Sequence, residues 1–186
     1  ALAAALAAEA PRAGQYAGAV TVDHGLQDGS PARAADVAKT CVDLGLAPVV
    51  IETVLVGTDG GPEAAARDAR YAALQEVVQQ TSAHAVAVGH TLDDQAETVL
   101  LGLARGSGAR SLAGMPSRRS FGPGALLIRP LLEVRRDITR RAWAVLGLRP
   151  WDDPHNVDSA YARSRVRQHA IPALVDALGP GVPEAL

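Results

Sequence analysis

Residues 89–108 read GHTLDDQAETVLLGLARGSG, and they decide the fold. The apolar run just before them, 85–88, predicts a short buried strand, with Gly89 and His90 forming the turn that leaves it. Thr91 is a good N-cap for a helix predicted over 93–104. Val99, Leu100, Leu101 and Leu103 would supply its apolar side, and Gly106 and Gly108 would stop it. On that helix Asp94 and Glu97 are three apart and Asp93 and Glu97 four apart, so three carboxylates gather around the first turn. Acids there could hold a cation at the mouth of a strand–helix crossover, where open α/β sheets bind ligands. Acids are also favoured at a helix start by the helix dipole alone, so the cluster by itself leaves both readings open.

Working outward, the pattern alternates. Residues 1–10 form a first helix, 16–22 a strand, 30–44 a helix with Ser30 as its cap and Pro31 at its first position, and 48–54 a strand. A loop at 56–62 follows, with Thr58 to Gly61 as turn signals, and then a helix over 63–80 leads into the 84–88 strand. Such alternation predicts an α/β fold, a parallel sheet with helices on both faces. Beyond Gly108 the pattern becomes a turn and short strand at 117–129, a helix over 133–146, a polar turn-rich stretch around 152–158, and a last helix from about 160 with Pro172 inside it. The final LGPGVPEAL has a linker composition. We therefore expect an α/β core over residues 1–130 and a helical extension over 131–186.

Composition sets limits. At 186 residues the chain can bury a core. No apolar run approaches the length of a membrane span. The single cysteine, Cys41, allows no internal disulfide or cysteine-cluster metal site and suits a reducing cytoplasm. The net charge of −2 hides a split: residues 1–104 carry 5 basic and 13 acidic side chains, whereas residues 105–167 carry 13 arginines and 5 acids. Arginine suits bidentate phosphate contact and base stacking. A GC-rich coding bias would also favour arginine, so RNA contact and coding bias both stay open.

The motifs VDHGL (22–26), EAAARDARY (63–71), the 89–108 stretch, IRPLL (128–132) and the run from NVD to IPAL (156–174) occur in one order. In that order the chain resembles the tRNA(Ile)-lysidine synthetases, a family of PP-loop (N-type) ATP pyrophosphatases, over about residues 16–175. The resemblance implies an adenine nucleotide α-hydrolase-like, Rossmann-like fold. It also implies ATP- and Mg²⁺-dependent joining of free lysine to carbon 2 of the wobble cytidine in an isoleucine tRNA with a CAU anticodon, which changes decoding from AUG to AUA. The enzyme would be cytoplasmic and off the membrane, and family members are often homodimers. Another PP-loop tRNA modifier of the 2-thiocytidine type, or a non-catalytic tRNA- or nucleotide-binding remnant, are the alternatives.

Attack on the α-phosphate needs Mg²⁺ and fixed positive charge. Asp94 is the first choice as metal-side carboxylate, with Asp93 supporting; Glu97 and Asp94 could instead hold the lysine substrate. His90 would contact phosphate or cytosine, or simply close its turn. Arg105, with the Gly106, Ser107 and Gly108 backbone, would face phosphate or the anticodon loop. The resemblance places Asp23, His24 and Gly25 at adenine and ribose, with Gly89 also on the nucleotide. It makes Arg67 and Arg70 lysine- or tRNA-facing, where residues alone would give a surface pair of Arg67 with Glu63. Arg163 and Arg167 would reach the substrate or the RNA backbone, and Asn156 and Asp158 would shape their loop. The family's SGGxDS loop does not occur in this sequence, so the chain as written is expected to lack a pyrophosphate cradle and to be inactive or nearly so. Two further departures are His155-Asn156 in place of Ser-Asn and Arg163-Ser164 in place of Arg-Asn.

Overall fold

A computed structural model describes residues 1–25, 27–57, 62–106, 108, 112–151 and 158–186, apart from the side chains of Pro62 and Glu63. In chain order the elements are α1 (Leu2–Arg12), β1 (Ala19–Asp23), α2 (Ser30–Asp43), β2 (Val49–Thr53), α3 (Pro62–Thr81), β3 (Ala85–Ala87), α4 (Leu92–Ala104), β4 (Arg118–Ser120), β5 (Leu126–Ile128), α5 (Arg136–Val145), α6 (Ala162–Arg165), α7 (Ile171–Leu178) and α8 (Val182–Ala185). They fall into two compact units, residues 1–86 with 120–127, and residues 87–119 with 128–186. The units thus divide near residue 86 and at the β4–β5 hairpin.

In the first unit β1 and β2 pair in parallel, from Ala19 opposite Val49 to Asp23 opposite Thr53. Both strands are β-branched and largely apolar, as strands covered by helices are. The core draws on Ala65, Ala73, Leu74, Val77 and Val78 of α3, with Phe121 and Leu127. Tyr71 meets Phe121 edge-on, with ring centroids 5.9 Å apart. Ser30 does not cap α2. Gly29 holds the cap position at φ 75, Pro31 sits just inside the helix, and the Ser30 side chain hydrogen-bonds Asp23 instead.

The second sheet has the order β3-β5-β4. Leu126 N–H donates to the His84 carbonyl and Val88 N–H to that of Ile128, each at 3.0 Å, so numbers rise together along a parallel pair. Phe121 N–H donates to Ala125 and Arg129 N–H to Ser117, so β4 and β5 form an antiparallel hairpin. The strand β4 was not expected. Its three residues, Arg118 to Ser120, are all exposed and carry no alternation to read.

The second unit corrects three expectations. The buried face of α4 is Ala96, Glu97 and Val99, while Leu103 is exposed. The last helix is not continuous: a π-helical turn, Val166–Ala170, separates α6 from α7. Pro172 has no N–H to offer the turn before it, and the hydrogen-bond register changes there. The expected linker instead ends in α8, which packs on α4 with Pro183 buried and Glu184 paired to Arg135. No helix among the described residues is long and apolar enough to cross a membrane.

Candidate functional site

The site in the second unit starts from the cap of α4. The Thr91 backbone N–H and hydroxyl both donate to Asp94 Oδ2 at 2.8 Å, and the Asp94 N–H returns a longer bond to Thr91 Oγ1 at 3.4 Å. This is a capping box with Asp in the third position. It fixes the rotamer of Asp94, so its second oxygen points off the first turn at a set place. Leu92 N–H donates to the Val134 carbonyl, which ties the start of α4 to the approach to α5. Asp93 completes the tie, because its Oδ2 accepts the Arg136 backbone N–H at 2.7 Å, a first-turn donor of α5 that its own helix leaves unpaired.

Three arginines close on the other two acids. Arg136 Nη2 donates to Asp94 Oδ1 and to Glu97 Oε1, both at 2.9 Å. Arg167 grips Glu97 with two nitrogens, Nε to Oε1 at 2.7 Å and Nη2 to Oε2 at 3.0 Å, and its Nη2 lies 3.5 Å from Asp94 Oδ1. Arg163 Nη2 donates to Thr98 Oγ1 at 2.7 Å, and its Nε lies 3.4 Å from Glu97 Oε2. The Glu97 side chain is wholly enclosed, at 0 % exposure. An unpaired carboxylate there would be costly; three guanidiniums make it tenable. The π turn contributes directly, since Arg167 lies within it.

The electrostatics follow. Burial pushes the Asp94 carboxyl up, but the Thr91 N–H and the charges of Arg136 and Arg163 more than offset it, so Asp94 titrates below the ordinary carboxylate range. Burial pulls the Arg136 guanidinium down, and Asp94 and Glu97 raise it past its usual value. Asp94 and Arg136 therefore hold each other in their charged forms.

A magnesium ion does not fit Asp94 in this geometry. One of its oxygens is filled by Thr91, and the other faces Arg136 and Arg167. Among the described residues no group of three or more His, Cys, Asp or Glu side chains is arranged so that it could hold a metal ion. The sequence could not show this, because the three arginines stand 39 to 73 positions from the acids they meet.

The predicted residues of the first unit form a different arrangement. Asp23 ends β1, and its Oδ1 accepts the Gly25 N–H at 3.0 Å, closing the turn, with Gly25 at φ 64. That bond, more than any other cause, holds the Asp23 carboxyl below its usual range. Arg70 Nη2 lies 3.2 Å from His24 Nε2. Arginine can only donate, so this contact is a hydrogen bond when Nε2 of His24 is free to accept. Arg67 lies over the Tyr71 ring, 5.1 Å from its centroid. A cavity of about 450 Å³ in this unit involves Gln75, Gln79 and Phe121, and no described predicted site residue lines it.

Of the remaining predictions, Arg105 is an exposed C-cap of α4, followed by Gly106 at φ 65. Gly108 and Gly89 are exposed and His90 is half-buried. Ser107, His155 and Asn156, the turn at 58–61 and the Glu63 side chain lie outside the described residues; Asp158 is described and accepts the Ala160 N–H at 2.9 Å. Sequence reasoning missed Arg136, whose only signal was its place in an arginine-rich helix start. It also missed Gln95, whose side-chain amide pairs with both backbone groups of Met115. Gly114 makes room for that contact: its φ is +64, and a Cβ there would come within 2.5 Å of Gln95.

A family model described as a PP-loop domain matches residues 1–174. A tRNA(Ile)-lysidine synthase of Salinispora tropica is 63 % identical over 100 % of the chain and 56 % of its own length. Proteins with the same name from Streptomyces coelicolor and Thermobifida fusca are 60 % and 57 % identical over 100 % of the chain, covering 52 % and 56 % of their own lengths. The chain thus spans about half the length of the curated relatives it matches. Among solved structures, a U34-tRNA thiolase from Methanococcus maripaludis, with its [4Fe-4S] cluster, superposes with a TM-score of 0.70. The match covers 92 % of this chain and 60 % of the thiolase at 21 % identity, and it speaks for the fold.

Proposed function

The chain belongs to the PP-loop domain family, and from that membership we propose that it is the catalytic region of a tRNA(Ile)-lysidine synthetase. In this reading the protein adenylylates carbon 2 of the wobble cytidine of an isoleucine tRNA with a CAU anticodon, using ATP and releasing pyrophosphate. The amine of free lysine then displaces AMP. The reaction belongs in the cytoplasm, with no membrane involved. A homodimer is part of the proposal from family resemblance alone.

The observation that carries this reading is that two motifs meet at one buried carboxylate. Glu97 comes from the 89–108 stretch, and Arg163 and Arg167 come from the run that ends in IPAL. The curated relatives that align over the whole chain bear this enzyme's name. The cluster supplies fixed charge in a partly enclosed place, which is the form of transition-state support that needs no rearrangement during reaction. Arg167 commits Nε and Nη2 to the acids, which leaves the donors of Nη1 for a phosphate or the RNA backbone. Among the three acids, Asp93 keeps one oxygen with no donor among the described contacts, so we assign it, rather than Asp94, to a cationic group such as the lysine amine. The Asp23, His24 and Gly25 turn, at the carboxyl end of parallel β1, is assigned to the nucleotide's adenine and ribose. Magnesium enters only as a companion of the ATP phosphates, and no described residue is assigned to hold it.

The test uses the full-length protein with ATP, Mg²⁺, lysine and the CAU isoleucine tRNA. AMP release that requires both lysine and that tRNA is the expected result. AMP formed without lysine, or with sulfur transfer in its place, would overturn the assignment.

A further inference from the structure

The IRPLL motif holds an arginine that the acid cluster does not use. Arg129 is 4 % exposed, more enclosed than Arg136, Arg163 or Arg167. Those three are ion-paired to Asp94 and Glu97. Arg129 forms no ion pair among the described residues. Its Nη1 donates to the Pro116 carbonyl at 2.6 Å, and its buried Nε has no hydrogen-bond partner. A buried guanidinium with one neutral acceptor is an expensive arrangement, and an apolar side chain could fill the same space without that cost.

Its position in the sheet suggests what offsets the expense. Arg129 is the first residue past β5, and Val88 N–H is bonded to the Ile128 carbonyl beside it. The residues that leave the neighbouring parallel strand at this level are Gly89, which is exposed, and His90. Arg129 therefore stands at the carboxyl edge of a parallel pair, next to open backbone, where α/β sheets take their ligands. The missing partner must be an acceptor and must be negative. A planar donor fork is best matched by a phosphate or carboxylate.

We propose that Arg129 is an anion-binding residue that takes a phosphate oxygen of the substrate at the carboxyl edge of β3 and β5. The choice of phosphate over carboxylate rests on the PP-loop reading. The phosphate comes either from the nucleotide or from the tRNA backbone, and experiment distinguishes the two.

The experiment compares the full-length protein with Arg129→Met and Arg129→Lys. Binding of inorganic pyrophosphate, of ATP and of the tRNA is measured by calorimetry without lysine, and thermal unfolding is recorded for each. The expected result for Arg129→Met is an unchanged or higher melting temperature with anion affinity lower by about tenfold, the worth of one charge-assisted hydrogen bond. Arg129→Lys should lie between that variant and the parent. Loss for pyrophosphate and ATP identifies the nucleotide phosphate, and loss for tRNA alone identifies the RNA backbone. The proposal is overturned if Arg129→Met melts lower and binds all three probes normally, which is what a purely structural arginine would do. If Arg129→Met does not fold, normal binding of all three probes by Arg129→Lys overturns it equally. None of these readings needs lysine or AMP release, so failure here and failure of the synthetase reading are separable.

Discussion

The two groups of predicted site residues are built in opposite ways. At the turn after β1, Arg70 is exposed and touches His24 through one contact, and the turn is shaped by a local bond from Gly25 to Asp23. At the start of α4, Glu97 is wholly enclosed and each of its oxygens faces more than one guanidinium nitrogen. The first arrangement can change partner at little cost. The second cannot lose a member without leaving a charge stranded in low dielectric. A site that must accept and release a large ligand suits the first design. A site that must hold charge in place during reaction suits the second.

Four measurements break or sharpen this contrast. The largest effect is expected from Glu97→Gln. It should cost about 3–5 kcal/mol of unfolding free energy in urea, because three arginines lose their buried counter-charge. A loss below about 1 kcal/mol would mean that the enclosed cluster is no more demanding than a surface pair.

Asp94→Asn comes next, and its signature is pH dependence. The folded carboxyl is held below its unfolded value of about 3.9. Its contribution to stability is therefore complete above that pH and is lost as pH falls through the lower folded value. The variant should remove that part of the acid-side decline; parent and variant declining in parallel would count against it. In the full-length protein the same change should abolish adenylylation and leave tRNA binding largely intact, and near-normal turnover would take Asp94 out of the site.

Thr91→Ala removes one half of the capping box and should cost about 1 kcal/mol, read from the same urea curves. The smallest effect is expected from Arg70→Ala, within about 0.5 kcal/mol of the parent, as for an ordinary surface change. A loss as large as that of Glu97→Gln would erase the difference between the two regions.

Much of the fold was open to reading because it rests on local signals. Thr91 as cap, the helix through Leu92–Ala104, the β-branched strands and the glycine stops each follow from neighbours a few residues apart. The short strand β4 and the π turn were not open to reading: one is three exposed residues, and the other reflects a register change before Pro172. The site divides along the same line. The gathering of Asp93, Asp94 and Glu97 on one turn is set by helical spacing. Their division of labour is not, since it depends on which oxygens the distant arginines fill.

The sequence by itself determined that this stretch is an α/β chain of the PP-loop kind, with an acidic helix start and an arginine-rich second half. Periodicity, caps and motifs act over a few residues, and a linear chain displays them fully. Only the tertiary structure decided that Asp94 and Glu97 are arginine-bound rather than open to a cation, that Arg136 joins all three acids, and that Arg129 is enclosed without a counter-charge among the described residues. Pairing and burial depend on which distant segments pack together, and the solvent-free space that gives a charge its cost or its strength exists only once they have done so.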